Sequence, residues 1–126
     1  MPWELYLPKA HKMATDQGFG ERAVFSADGG MSTPQDVVIA TMLGAEEIYF
    51  GKSVMYVLGC KNMGVCNKNT CAPGNATMDK DLRKNYTGKP EYVANYFTMM
   101  AEGVRRELAA LGAKSQDELC GKVEKL

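Results

Sequence analysis

The chain is poor in several things that define whole classes of protein. It has one histidine and one tryptophan in 126 residues, and its formal net charge is zero. Without a basic excess to neutralise phosphates, nucleic acid is excluded as a main partner. No apolar run approaches the roughly 20 residues needed to span a bilayer. The opening Met-Pro-Trp-Glu-Leu has neither the charged start nor the apolar core of a leader peptide. Four cysteines with no spread-out framework do not suit a disulfide-stapled secreted domain. These absences predict one ordinary domain, cytoplasmic, away from membranes and nucleic acid.

What is present is concentrated. Three of the four cysteines, Cys60, Cys66 and Cys71, fall in one stretch with the spacing C-x5-C-x4-C. Thiolates are soft ligands that suit iron–sulfur clusters, zinc and Cu(I). The spacers carry Gly64 and asparagines with few apolar side chains, so the stretch has little reason to pack as helix or strand and can curl around a ligand. Lys61 and Lys68 add positive charge beside thiolates and sulfide. A structural zinc site normally takes four protein ligands, often as C-x2-4-C knuckles. Neither spacing here is a knuckle, and His11 lies far away in sequence. A disulfide between any two cysteines is the competing reading. Three ligands in one loop favour a [3Fe–4S] cluster; a fourth ligand would have to be Cys120, placed in a terminal helix as a small buried hydrophobe.

Along the chain, apolar spacing predicts a helix over 8–17, started by Pro8 and stopped by Gly18, with His11 a partly exposed helix residue. Residues 22–27 read as a buried strand that ends at Asp28-Gly29-Gly30. Thr33 as N-cap, Pro34 at the first helical position and Asp36 at the third open a helix that closes at Gly44. Residues 48–50 form a second strand, stopped by Gly51-Lys52. Strand, helix, strand is a βαβ unit, so the strands should be parallel with a right-handed crossover. The run 54–58 is a helical turn or a buried strand. Asp79 caps a short helix over 80–85, and Pro90 opens a long one over 90–111. There, Val93, Tyr96, Phe97, Met100, Val104, Leu108 and Leu111 make one apolar stripe, read as core. Ser115 to Glu118 starts a terminal helix that runs to about 123.

Glycines at the carboxyl ends of parallel strands let backbone N–H groups approach a phosphate. In (β/α)8 barrels such a site lies after the last two strands. Gly29, Gly30, Gly51 and Lys52 fit those positions, Lys52 supplying a compact positive charge. Tight turns alone are the plainer explanation of these glycines.

In this order, Asp28-Gly29-Gly30, Asp36 to Ala40, Leu43 to Glu47, Phe50-Gly51, Leu58-Gly59-Cys60, Cys66, Asn69-Thr70-Cys71 and Tyr92 to Phe97 resemble the glutamate synthase family. The match is to the end of the FMN-binding domain of the large subunit and its ferredoxin-dependent relative, over nearly the whole chain. The glycines are shared with other FMN barrels; the cysteines are the distinguishing part. The resemblance implies an α/β fold: a partial (β/α)8 barrel, its last two parallel strands followed by a cysteine loop and C-terminal helices. Residues 1–58 would be the barrel end with its phosphate loops, 59–78 the iron–sulfur loop and 79–126 the helical segment. It further implies that Cys60, Cys66 and Cys71 hold a [3Fe–4S] cluster and that Gly29, Gly30 and Gly51 face the phosphate of FMN. Electrons from ferredoxin or a pyridine-nucleotide-linked subunit would serve the formation of L-glutamate from 2-oxoglutarate. A whole barrel takes about 250 residues, so a partner chain supplying the remaining strands, or self-association, is expected. Two other readings are a stand-alone iron–sulfur electron-transfer module and an inactive truncated form.

Overall fold

A computed structural model describes residues 2–126. The chain divides into two compact units. One holds the residues up to Gly51 together with Met100–Leu126; the other is Lys52–Met99.

The first unit opens with helix α1, Trp3–Asp16. It begins five residues earlier than the sequence suggests, and Pro8 lies inside it. Proline lacks the N–H that would bond back to Glu4, a loss tolerated close to the helix start because Leu7 is buried in the core on the same turn. A single 3-10 turn over Gly20–Arg22 follows, and strand β1 is only Ser26–Ala27. The strand expected over 22–27 is therefore mostly irregular. The Phe25 carbonyl nonetheless accepts from the N–H groups of Glu46 and Glu47, at 2.8 and 3.1 Å. Helix α2 is Pro34–Met42 and strand β2 is Glu47–Ile48. The strands pair parallel, Ser26 with Glu47 and Ala27 with Ile48, as the βαβ reading requires. The structure is thus α/β, with mixed helix and a small two-stranded parallel sheet.

Helix α2 starts as its residues dictate. The Asp36 N–H donates to Thr33 Oγ1 at 3.1 Å, while Asp36 Oδ2 accepts from the Thr33 N–H at 2.8 Å and the Ser32 N–H at 2.9 Å. Partial burial pushes the Asp36 carboxyl up, but the backbone and hydroxyl donors of Ser32 and Thr33 outweigh it, so its pKa lies below the ordinary value. The stability tied to this ionisation is therefore present above the unfolded-state pKa and fades as pH falls through the lower folded one. Thr33→Ala should lower stability by about 1 kcal/mol. Denaturant titrations of both forms at neutral pH check this, and Asp36→Asn should flatten the acid limb of the stability profile.

The core of this unit gathers Leu7, Ala27, Met31, Ala40, Leu43 and Ala45, with Trp3, Phe25, Ile48 and Phe50 packed against it. Gly44 has φ +107°, and a side chain there would run into the His11 ring. Glycine thus ends α2 and lets α1 close onto it. Helix α5, Pro90–Ala110, crosses the division of the chain. Only Met100, Val104 and Leu108 of its stripe are buried; Val93 and Tyr96 are half-buried and Phe97 is exposed. Within the first unit, Gly103 lies against Pro34, with no room for a β-carbon. The expected terminal helix is replaced by turns and a 3-10 turn over Val123–Lys125. The reason is local. Glu118 reaches back to accept from the Lys114 N–H at 2.9 Å, and the Gly121 N–H donates to the Thr41 carbonyl rather than continuing a helix.

The second unit contains helix α3, Lys52–Val57, the cysteine loop, helix α4, Lys80–Arg83, and the first part of α5. The ambiguous run 54–58 is thus helical up to Val57. The Asp79 carboxylate caps α4 by accepting from the N–H groups of Asp81 and Leu82, both at 2.9 Å. Among the described residues no helix is long and apolar enough to cross a membrane.

Candidate cysteine-loop and glycine-loop sites

All four cysteines are free thiols. Cys60, Cys66 and Cys71 lie in the second unit, between α3 and α4; Cys120 belongs to the first. Cys60 is half-buried, Cys66 exposed and Cys71 buried. The loop bends through left-handed backbone at Asn62 (φ 52°), Gly64 (φ 67°) and Asn69 (φ 57°). Asparagine and glycine are the residues that adopt this conformation most readily.

Side-chain amides then anchor the loop to the body of its unit. Asn75 Nδ2 donates to the Leu58 carbonyl and Asn85 Nδ2 to the Ala72 carbonyl, each at 2.9 Å. Asn69 Oδ1 accepts from the Met78 N–H at 2.7 Å and lies 2.8 Å from the Thr77 hydroxyl. The Cys60 N–H donates to the Met55 carbonyl at 2.9 Å, continuing the end of α3 into the loop. Gly74, at φ 80°, donates to the Cys71 carbonyl at 2.9 Å and leaves no room for a side chain against the Leu82 carbonyl and the Tyr86 N–H. Along the chain the asparagines of the cysteine spacers read only as loop-forming residues, and Asn75 and Asn85 carry no local sign of this role. Their clustering over 62–85 was the available signal for this bracing.

Among the described residues no group of three or more His, Cys, Asp or Glu side chains could hold a metal ion. That does not match a compact single-metal centre. Thiolates are the donor type that iron–sulfur clusters take, and in a polynuclear cluster they bind different irons. The Asn62 N–H points at Cys60 Sγ, 3.4 Å away. Hydrogen bonds of this kind help set the potential of cluster sulfurs.

Cys120 sits in a different setting. Its Sγ lies 3.9 Å from the Ala45 carbonyl. Burial, then the negative charges of Glu46 and Asp117, push its thiol pKa up. It is a half-buried thiol that resists becoming a thiolate. His11 lies within α1, edge-on to Phe25 with ring centroids 5.3 Å apart.

Parallel pairing sends the loops after β1 and β2 to the same end of the sheet. Gly29 (φ 139°) and Gly30 (φ 99°) follow β1, and Gly51 follows β2; all three are exposed. A β-carbon at Gly30 or Gly51 would meet nothing within 4 Å. The backbone at these two positions is open to approach. Gly29 is more constrained: its N–H already donates to Asp28 Oδ1 at 2.7 Å, and a β-carbon there would press on the Trp3 ring. Lys52 is exposed and is the first residue of α3.

A βαβ element with glycine loops at one end of its sheet, followed by a three-cysteine loop, defines a segment of an α/β protein. The chain matches the conserved region in glutamate synthase over residues 1–114. It is 43% identical over its full length to the glutamate synthase [NADPH] large chain of Bacillus subtilis, covering 8% of that protein. Identity is 41% over 120 residues to the ferredoxin-dependent glutamate synthase of Antithamnion sp., covering 95% of this chain and 8% of the relative. With the glutamate synthase [NADH] of Schizosaccharomyces pombe it is 40% over 126 residues, the whole of this chain and 6% of that protein. The chain belongs to the glutamate synthase family. It spans less than a tenth of the length of these relatives.

Proposed function

We propose that the chain forms part of a glutamate synthase-like oxidoreductase, in which Cys60, Cys66 and Cys71 hold a [3Fe–4S] cluster. The observation that carries this reading is the braced loop bearing three free thiols in a chain of this family. The cluster would supply one-electron transfer and FMN the redox chemistry that forms L-glutamate from 2-oxoglutarate. The role of this chain's own residues is positional. Asn69, Asn75 and Asn85 fix the loop, Asn62 donates toward Cys60, and the lysines beside the cysteines offset negative charge.

Gly30 and Gly51 would admit the FMN phosphate to the backbone, with Gly29 shaping the turn and Lys52, next in the chain after Gly51, adding positive charge. The two-stranded sheet would be the end of a (β/α)8 barrel. Such short parallel strands have edges that call for further strands, which the rest of a barrel would supply from the same or another chain. The electron donor would be ferredoxin or a pyridine-nucleotide-linked subunit. The setting would be cytoplasmic.

The test is the iron, acid-labile sulfide and flavin content of the protein purified without oxygen. Iron and sulfide together with flavin support the full reading. Iron and sulfide without flavin favour a stand-alone electron-transfer module, and the absence of all three favours an inactive form. Gly51→Val separates fold from binding. Its β-carbon meets open space and its backbone is not left-handed, so unfolding midpoints should stay near the native value. Where the native protein binds FMN, alone or with its completing partner, the variant should bind it at least about tenfold more weakly. Undiminished FMN binding by the variant would remove Gly51 from the phosphate site.

A further inference from the structure

The second unit contains a cleft of about 530 Å³ between α3, the end of the cysteine loop and α4. Its volume falls within the roughly 300–1,000 Å³ typical of small-molecule sites. Met55, Leu58 and Met78 supply apolar walls, Tyr86 an amphipathic one, and Arg83 and Asn75 the polar groups. No acidic side chain lines it.

The charge in the cleft has no counterion among the described residues. Lys84, next to Arg83 on α4, is paired with Asp81 at 2.6 Å. The Asp79 carboxylate is occupied with the N–H groups that open the helix. Arg83 itself has no ion pair among the described residues. Nearby, Asn75 spends its Nδ2 on the Leu58 carbonyl, and its buried Oδ1 has no hydrogen-bond partner among the described residues. That oxygen is an acceptor closed off from the surface and so is no partner for an anion; the cationic donor that the cleft offers is Arg83. The apolar surface is also left uncovered: Met78 is 77% exposed and Tyr86 44%. A flexible thioether wall beside a guanidinium suits a ligand with a short aliphatic body and an anionic head.

We propose that this cleft is a binding site for a small organic oxyanion, its charged end held by Arg83 and its aliphatic body lying against Met55, Leu58 and Met78. The site is independent of the cysteine thiols and of the glycine loops, so it stands or falls apart from the cluster reading.

The test titrates the full chain with hexanoate, hexyl phosphate and hexanol, followed by amide chemical shifts. Saturable binding of hexanoate or hexyl phosphate, with shifts centred on 55–58, 74–78 and 83–86, supports the proposal; the tighter of the two distinguishes a carboxylate from a phosphate ligand. Hexanol should bind about tenfold more weakly, and Arg83→Gln should reduce the difference between anion and alcohol to nearly nothing. Met78→Asp, at an exposed position that should not disturb folding, should weaken anion binding by a similar factor through repulsion and lost apolar contact. Equal affinity for anion and alcohol, unchanged affinity in both variants, or shifts scattered away from the cleft would overturn it, as would no binding of either anion.

Discussion

Cys71→Ser should remove most of the iron and acid-labile sulfide from protein isolated without oxygen, whereas Cys120→Ala should leave both unchanged. A serine hydroxyl is a hard, weakly acidic ligand and substitutes poorly for a thiolate on iron. Cys71 is the strongest place to ask the question. It is 7% exposed, and the tight turn at Gly74, which donates to its carbonyl, holds its backbone in place. Because serine is nearly the same size, the metal-free variant should keep its fold, and loss of iron can be assigned to the ligand. Cys66, which is exposed, provides the companion variant with the least structural consequence. Native iron and sulfide in Cys60→Ser, Cys66→Ser and Cys71→Ser alike would show that the loop is not the ligand set. Loss on Cys120→Ala would put the fourth cysteine in play.

The second large effect concerns stability. Leu119 is completely buried, and Leu119→Ala should destabilise the chain by about 2–5 kcal/mol. That is a large share of the roughly 5–15 kcal/mol that holds a domain together. The neighbouring Gly121 N–H to Thr41 carbonyl bond, 3.1 Å, ties the same turn to the end of α2. A shift of the urea midpoint at unchanged slope would measure the effect. A change below about 0.5 kcal/mol, the scale of a surface substitution, would mean that the turn does not bury its leucine in solution. Cys120→Ala, one residue on and only half-buried, should cost much less.

Much of the architecture was written locally. The Thr33-Pro34-x-Asp36 start of α2, the Asp79 cap of α4 and the Pro90 opening of α5 all appear as read, because each depends on side chains within three residues of the backbone they satisfy. The parallel pairing also follows from chain order, since a helix between two strands carries the chain back to the same sheet end. The errors occur where tertiary contacts outweigh local signals. Pro8 looked like a helix start, yet burial of Leu7 and the packing of Trp3 against the core draw the helix back to Trp3. The stretch 22–25 is β-prone, but of it only Phe25 reaches the second strand, through Glu46 and Glu47, so only Ser26–Ala27 form regular strand. Ser115–Glu118 reads as a helix start, but Glu118 accepts from the Lys114 N–H and the Gly121 N–H is taken by the Thr41 carbonyl.

The candidate sites divide in the same way. Cysteine spacing, the glycines after each strand and the overall family pattern are properties of residue type and order, and they were determined by the sequence alone. Which cysteine is buried, which backbone N–H is free and which charge lacks a partner depend on groups far apart in sequence. Asn75 meets Leu58 seventeen positions away, and Asn85 meets Ala72 thirteen positions away. Arg83 reads as an ordinary helix-surface charge until folding sets it beside Met55 and Leu58. Capping, turn chemistry and ligand type are short-range and can be read along a chain. Burial and charge compensation are sums over neighbours in space, and only the tertiary structure supplies those neighbours.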